Sequence, residues 1–169
     1  MLHEAELFVM AEHVLVEVLG RIREADEEIM IPPMFDLPGA DRAAPIRLVV
    51  EEYAFDDACV PDILAGRPSN NIDRGRLDAG LRGEGRTATI AGVAGAAVAA
   101  AREVTDGDAV VHAGYGDVST RDYLLRLTIA RSLVAHYVAT YLGSTACPLP
   151  EELARPLWAL TEPEAATWR

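Results

Sequence analysis

The sequence predicts an all-α protein: a four-helix bundle with one short extra helix near the C-terminal end. Three observations predict it. Four long segments repeat apolar residues at every third or fourth position, the spacing of one helical face. Between them lie proline- and glycine-rich stretches that no helix can cross. Strand-like patterning is almost absent beyond the pair Val110 and Val111. An antiparallel bundle is the economical way for such helices to bury their apolar stripes.

The first helix is expected over residues 3–29, with Leu7, Ala11, Val14, Val18 and Ile22 as its stripe. Glu6, His13, Glu17 and Glu24 fall on the other side, which makes His13 a solvated histidine. Residues 31–45 hold four prolines and a glycine and read as a long connection, with Met34, Phe35 and Leu37 packing it across the fold. Pro45 suits the start of a second helix over 45–65, with Pro61 as a kink or stop near its end. That helix has two apolar faces. One carries Ile46, Val49, Val50, Tyr53, Asp57 and Leu64; the other carries Leu48, Glu52, Phe55, Cys59 and Ile63.

Residues 66–86, rich in glycine and arginine, read as an irregular loop with one helical turn near Leu77 to Leu81. Its arginines either meet an anionic ligand or balance the acidic surface. A third helix over 87–104 is alanine-rich, with Thr87 or Thr89 as its cap and Gly92, Gly95, Ala96 and Ala99 as sites of close approach. Residues 105–118 read as turn, short extended piece, turn. The fourth helix spans 119–143: Ser119 caps it with Asp122 as reciprocal partner, Gly143 closes it, and Leu125, Ile129, Leu133, His136 and Thr140 share a face. A short helix over 150–160 follows, with Trp158 as a packing anchor. No internal repeat or second boundary interrupts the chain, so residues 1–169 are expected to form a single domain.

Half of the 169 residues are hydrophobic, enough for one sizeable core. The 15 cationic residues are all arginine and the 27 acidic ones give a formal charge of −12. That charge opposes binding to nucleic acid and to anionic membranes. No apolar run has the length of a membrane span, and the acidic N-terminus lacks the basic region of a secretory signal. The expected location is the cytoplasm. Cys59 and Cys147 do not make a disulfide framework. The sequence leaves a homodimer open.

No phosphate loop, dinucleotide fingerprint, nucleophile elbow or zinc ribbon is present. What remains is Glu52 on the second helix and His136 on the fourth, with Asp56 one turn after Glu52 and Ser132 one turn before His136. Facing helices of a bundle build ligand and metal sites from such residues. Tyr53 lies beside Glu52 as a further ligand contact. Two readings stand side by side: a divalent metal held by Glu52 and His136 with Asp56, or a metal-free acid–base or structural Glu52–His136 pair in a binding or interaction module. A satisfied core histidine is the third.

The segments IRLVVEEYAFDDACVPDILAG (46–66) and GDVSTRDYLLRLTIARSLVAHYVATYLG (116–143) resemble the two signature regions of the DinB-like superfamily. Within it they are most similar to the N-terminal domain of the mycothiol-dependent maleylpyruvate isomerase type. The resemblance implies a four-helix bundle and a small-molecule cleft between the second and fourth helices. It also implies thiol transfer or isomerisation with a divalent metal, zinc or nickel, and mycothiol. His136 falls on the family's fourth-helix histidine. Ser132 stands where the family has glutamate, Glu52 where it has the second-helix histidine, and Ala139 where an aspartate often follows.

Overall fold

A computed structural model describes residues 1–33, 43–67 and 72–165, with the side chains of 163–165 excepted. The expected packing of Met34, Phe35 and Leu37 falls outside the described residues. Helix dominates. In chain order the helices are α1 (His3–Leu19), α2 (Ile46–Leu64), α3 (Arg74–Gly80), α4 (Arg86–Glu103), α5 (Thr120–Tyr141) and α6 (Glu151–Ala165). Two small antiparallel ladders accompany them. β1 (Met30–Ile31) pairs with β2 (Ala44–Pro45), and β3 (Val110–Ala113) pairs with β4 (Gly116–Ser119).

α1 stops ten residues short of the expected end. Gly20 occupies its C-cap, and the chain then makes a single 3-10 turn at Glu24–Asp26. Glycine costs helix stability, and here the helix yields to it. α2 starts where proline predicts: Pro45 is its N-cap in extended conformation, and Pro61 sits within its last turn. The loop arginines are largely paired with local carboxylates: Arg67 bonds Asp62 and Arg74 bonds Glu52. α3 is longer than the single turn expected. It begins at Asp73, whose carboxylate accepts from the Arg76 amide at 3.0 Å.

Neither threonine caps α4; Gly85 is its N-cap, and the Thr89 hydroxyl instead donates to the Gly80 carbonyl at 2.9 Å. The close approach of α4 to α1 comes from Ala97 and Ala101, which pack with Ala5 and Phe8. Gly92 and Gly95 face open space.

α5 is capped as its sequence requires. The Ser119 hydroxyl accepts from the Asp122 amide at 3.1 Å. Gly143, at φ 88°, closes the other end in the left-handed region while the Ser144 amide bonds the Ala139 carbonyl at 2.9 Å. Ser119→Ala is expected to lower stability by about 1 kcal/mol in urea denaturation, the usual cost of losing such a cap.

The main packing is α1 against α5 and α4, and α2 against α4. One apolar cluster joins Leu15, Val18 and Leu19 of α1 to Val50 and Ala54 of α2 and to Val134, Ala135 and Val138 of α5. A second, smaller one seats Leu153 and Leu157 of α6 on Leu7 and Ala11 of α1. Trp158 does not anchor α6: it is 61% exposed, because Leu153 and Leu157 take the buried stripe one turn apart. No described helix is long and apolar enough to cross a membrane.

Candidate functional site

The phase of α5 decides what reaches the interior. Its buried residues include Tyr123, Leu124, Thr128, Arg131, Ala135 and Val138. This face is rotated by about one residue, roughly 100°, from the stripe drawn through Leu125 and His136. His136 is therefore exposed, and the Thr140 hydroxyl bonds its backbone carbonyl rather than its ring. Leu125 and Ile129 are half-buried beneath α6, which is what gave that stripe its apolar character.

α2 behaves in the same way. Its buried face runs through Ile46, Val50, Ala54, Asp57 and Val60. Glu52 projects outward and pairs with Arg74, which also lies 4.7 Å over the Phe55 ring. The buried carboxylate of the acidic run is Asp57. Glu52 and His136 are both exposed and no contact joins them. Nor do any three described His, Cys, Asp or Glu residues form a group that could hold a metal ion. The donor set implied by the resemblance does not fit a metal centre here.

A different charged cluster occupies the space between α1, α2 and α5. Arg131 is 1% exposed. Its Nε and Nη2 donate to Asp57 Oδ1 at 3.1 and 2.5 Å. Glu12 of α1, wholly buried, brings Oε2 to 3.5 Å from the Arg131 Nε. Asp56 stands at 4.0 Å from Nη1 with its side chain still open to solvent. The guanidinium carbon lies 5.2 Å over the Tyr53 ring. Of the residues expected to bind a ligand, Asp56 and Tyr53 meet at this cluster, whereas Ser132 turns toward α6, its buried hydroxyl without a hydrogen-bond partner among the described residues.

One cation faces three carboxylates, so not all of them keep their charge. Burial, and then the Asp57 charge, push the Glu12 carboxyl up to about 8 against the pull of Arg131. Burial also raises Asp56, Tyr53 (to about 12) and Tyr123, again opposed by Arg131. Burial works against the charged form of Arg131 itself, but Asp57 and Glu12 outweigh it, and its pKa rises. The geometry is an Arg131–Asp57 ion pair beside a Glu12 carboxyl that burial pushes toward its protonated form. Among the described residues neither Glu12 oxygen has a hydrogen-bond partner, although a protonated Glu12 could donate to the Asp57 carboxylate. With Arg131, Asp57 and Glu12 buried, the cluster ties three helices together.

Tyr53 connects this lock to an open cleft of about 400 Å³ between α2, α5 and the β1–β2 ladder. Leu48, Val49, Val134 and Val138 form its apolar walls, and Glu52, Tyr53 and Tyr137 are its polar groups. The Tyr137 hydroxyl is committed to the Pro32 carbonyl at 3.1 Å. Reading the apolar stripes alone does not single out Glu12 or Arg131. Their spacing was the available signal: Arg131 shares its face with Leu124, Thr128, Ala135 and Val138, and Glu12 with Phe8, Leu15 and Leu19. Comparisons with models of known protein families, with curated proteins and with solved structures return no match.

Proposed function

We propose that the chain is a DinB-like helical bundle that binds a small, mainly apolar molecule in the cleft between α2 and α5, without metal chemistry. The observation that carries this reading is the cleft. Its volume of about 400 Å³, its aliphatic walls and its few polar groups match the usual character of a small-molecule site. The location agrees with the resemblance, which implies a cleft between the second and fourth long helices. The chemistry differs, because neither Glu52 nor His136 belongs to a convergent donor set. Glu52, held by Arg74, orients a polar end of the ligand at the rim. Tyr53, stiffened by Arg131 behind it, forms a fixed wall.

Nile red, a neutral apolar fluorophore, tests this reading. The wild type is expected to bind it saturably with enhanced emission. Val49 lines the cleft and is only half-buried, so Val49→Trp fills the space with little effect on the core. It should weaken Nile red binding roughly tenfold or more while leaving the thermal midpoint near that of the wild type. No saturable emission from the wild type, or equal affinity in a folded Val49→Trp variant, would overturn the proposal.

A further inference from the structure

A second cavity, of about 360 Å³, lies on the other side of α2. Its α2 residues are Arg47, Val50 and Glu51, whereas those of the apolar cleft are Leu48, Val49, Glu52 and Tyr53. At about 100° per residue these two sets point in opposite directions. The floor of this cavity is apolar, formed by the buried Ile22, Val50 and Leu81.

Five charged residues surround that floor, and pairing disposes of most of them. Arg86 donates to the Glu27 carboxylate and to the Ile22 carbonyl. Arg47 donates to Glu28, which lies outside the cavity, at 2.8 Å. Arg82 and Glu51 remain: among the described residues neither makes a hydrogen bond or a close ion pair, and Glu51 is drawn to Arg47 and Arg74 only at longer range. The cavity therefore presents, above an apolar floor, the Arg82 guanidinium and the Glu51 carboxylate without a close counter-ion among the described residues. A simple anion would meet Arg82 but also the negative Glu51. A simple cation would meet the reverse conflict. A molecule carrying both charges satisfies both groups.

We infer that this cavity binds a small zwitterion with an apolar side chain, the chemistry of a free α-amino acid such as leucine. Its carboxylate pairs with Arg82, its ammonium with Glu51, and its side chain covers Ile22, Val50 and Leu81. The start of α4 supports the carboxylate end. Arg86, its first residue, lines the cavity, and the positive end of the helix dipole favours an anionic group there. The cavity is larger than leucine and leaves room for bridging water. This inference is independent of the apolar cleft and its ligand.

Isothermal titration of the full chain with three probes tests it: leucine, leucinamide, which lacks the carboxylate, and 4-methylpentanoate, which lacks the ammonium. Leucine should bind with one-to-one stoichiometry, and each half-charged analogue roughly tenfold or more weakly. Arg82→Gln and Glu51→Gln, at exposed and half-buried positions, should each weaken leucine by a similar factor without moving the thermal midpoint. Arg82→Gln should leave leucinamide binding unchanged, and Glu51→Gln should leave 4-methylpentanoate unchanged. The inference is overturned if leucine gives no saturable heat at millimolar concentration, if 4-methylpentanoate binds as tightly as leucine, or if both variants keep wild-type affinity.

Discussion

Replacing Arg131 by methionine is expected to destabilise the protein by about 3–5 kcal/mol, the range for removing one partner of a buried ion pair. Methionine replaces the aliphatic stem but not the guanidinium, so most of the loss is electrostatic, with a smaller part from the Tyr53 contact. Asp57 would keep a nearly inaccessible carboxylate with its two guanidinium hydrogen bonds gone. Glu12 and Asp56 would lose the guanidinium that they face. Against a typical total of about 5–15 kcal/mol, this takes much of the stability of the fold. Urea denaturation followed by far-UV circular dichroism measures it. The double variant Arg131→Met with Asp57→Leu separates the charge effect from packing, since exchanging a buried pair for apolar groups is often neutral. It should recover most of the loss. A single variant within about 1 kcal/mol of the wild type would show that the cluster does not lock the three helices.

The helices were legible because their apolar residues recur at helical spacing and their ends carry local chemistry. Ser119, Pro45 and Gly143 act within one turn of their own positions, so the sequence displays them directly. The rotation of each helix was harder to read. α5 has apolar residues over most of its circumference, because α6 covers Leu125 and Ile129 while α1 and α2 cover Leu124 and Val138. A stripe drawn by hydropathy alone can then settle on either side, and it carried His136 outward. The true interior face contains an arginine and, across from it, Glu12 and Asp57. Hydropathy counts these residues as surface, and only their mutual neutralisation permits their burial. That neutralisation depends on three helices distant in sequence.

Glu12→Gln is expected to stabilise the protein at neutral and alkaline pH and to flatten its pH dependence. The folded pKa of Glu12 is about 8, above the ordinary 4.5. Below 4.5 the carboxyl is protonated in both states and imposes no penalty. As pH rises from 4.5 through about 8, the unfolded chain releases this proton while the folded chain holds it, so stability is lost across that window. Above about 8 the loss is complete. Glutamine has the same shape and cannot ionise, so the variant lacks this contribution to the slope. The gain should be negligible near pH 4.5 and reach on the order of 2–4 kcal/mol by pH 8, since each pH unit of the window is worth about 1.4 kcal/mol and lost attraction to Arg131 offsets part. Urea denaturation of both proteins from about pH 5 to about pH 8.5 measures the difference, and parallel profiles would contradict the assignment. Asp57→Asn provides the complementary case. With Asp57 neutral, Glu12 becomes the buried counter-ion of Arg131, its pKa falls, and the same pH window loses its slope although Glu12 is untouched. A proton held by Glu12 through burial together with the neighbouring Asp57 requires both outcomes. A merely desolvated Glu12, insensitive to its neighbours, would give the first without the second.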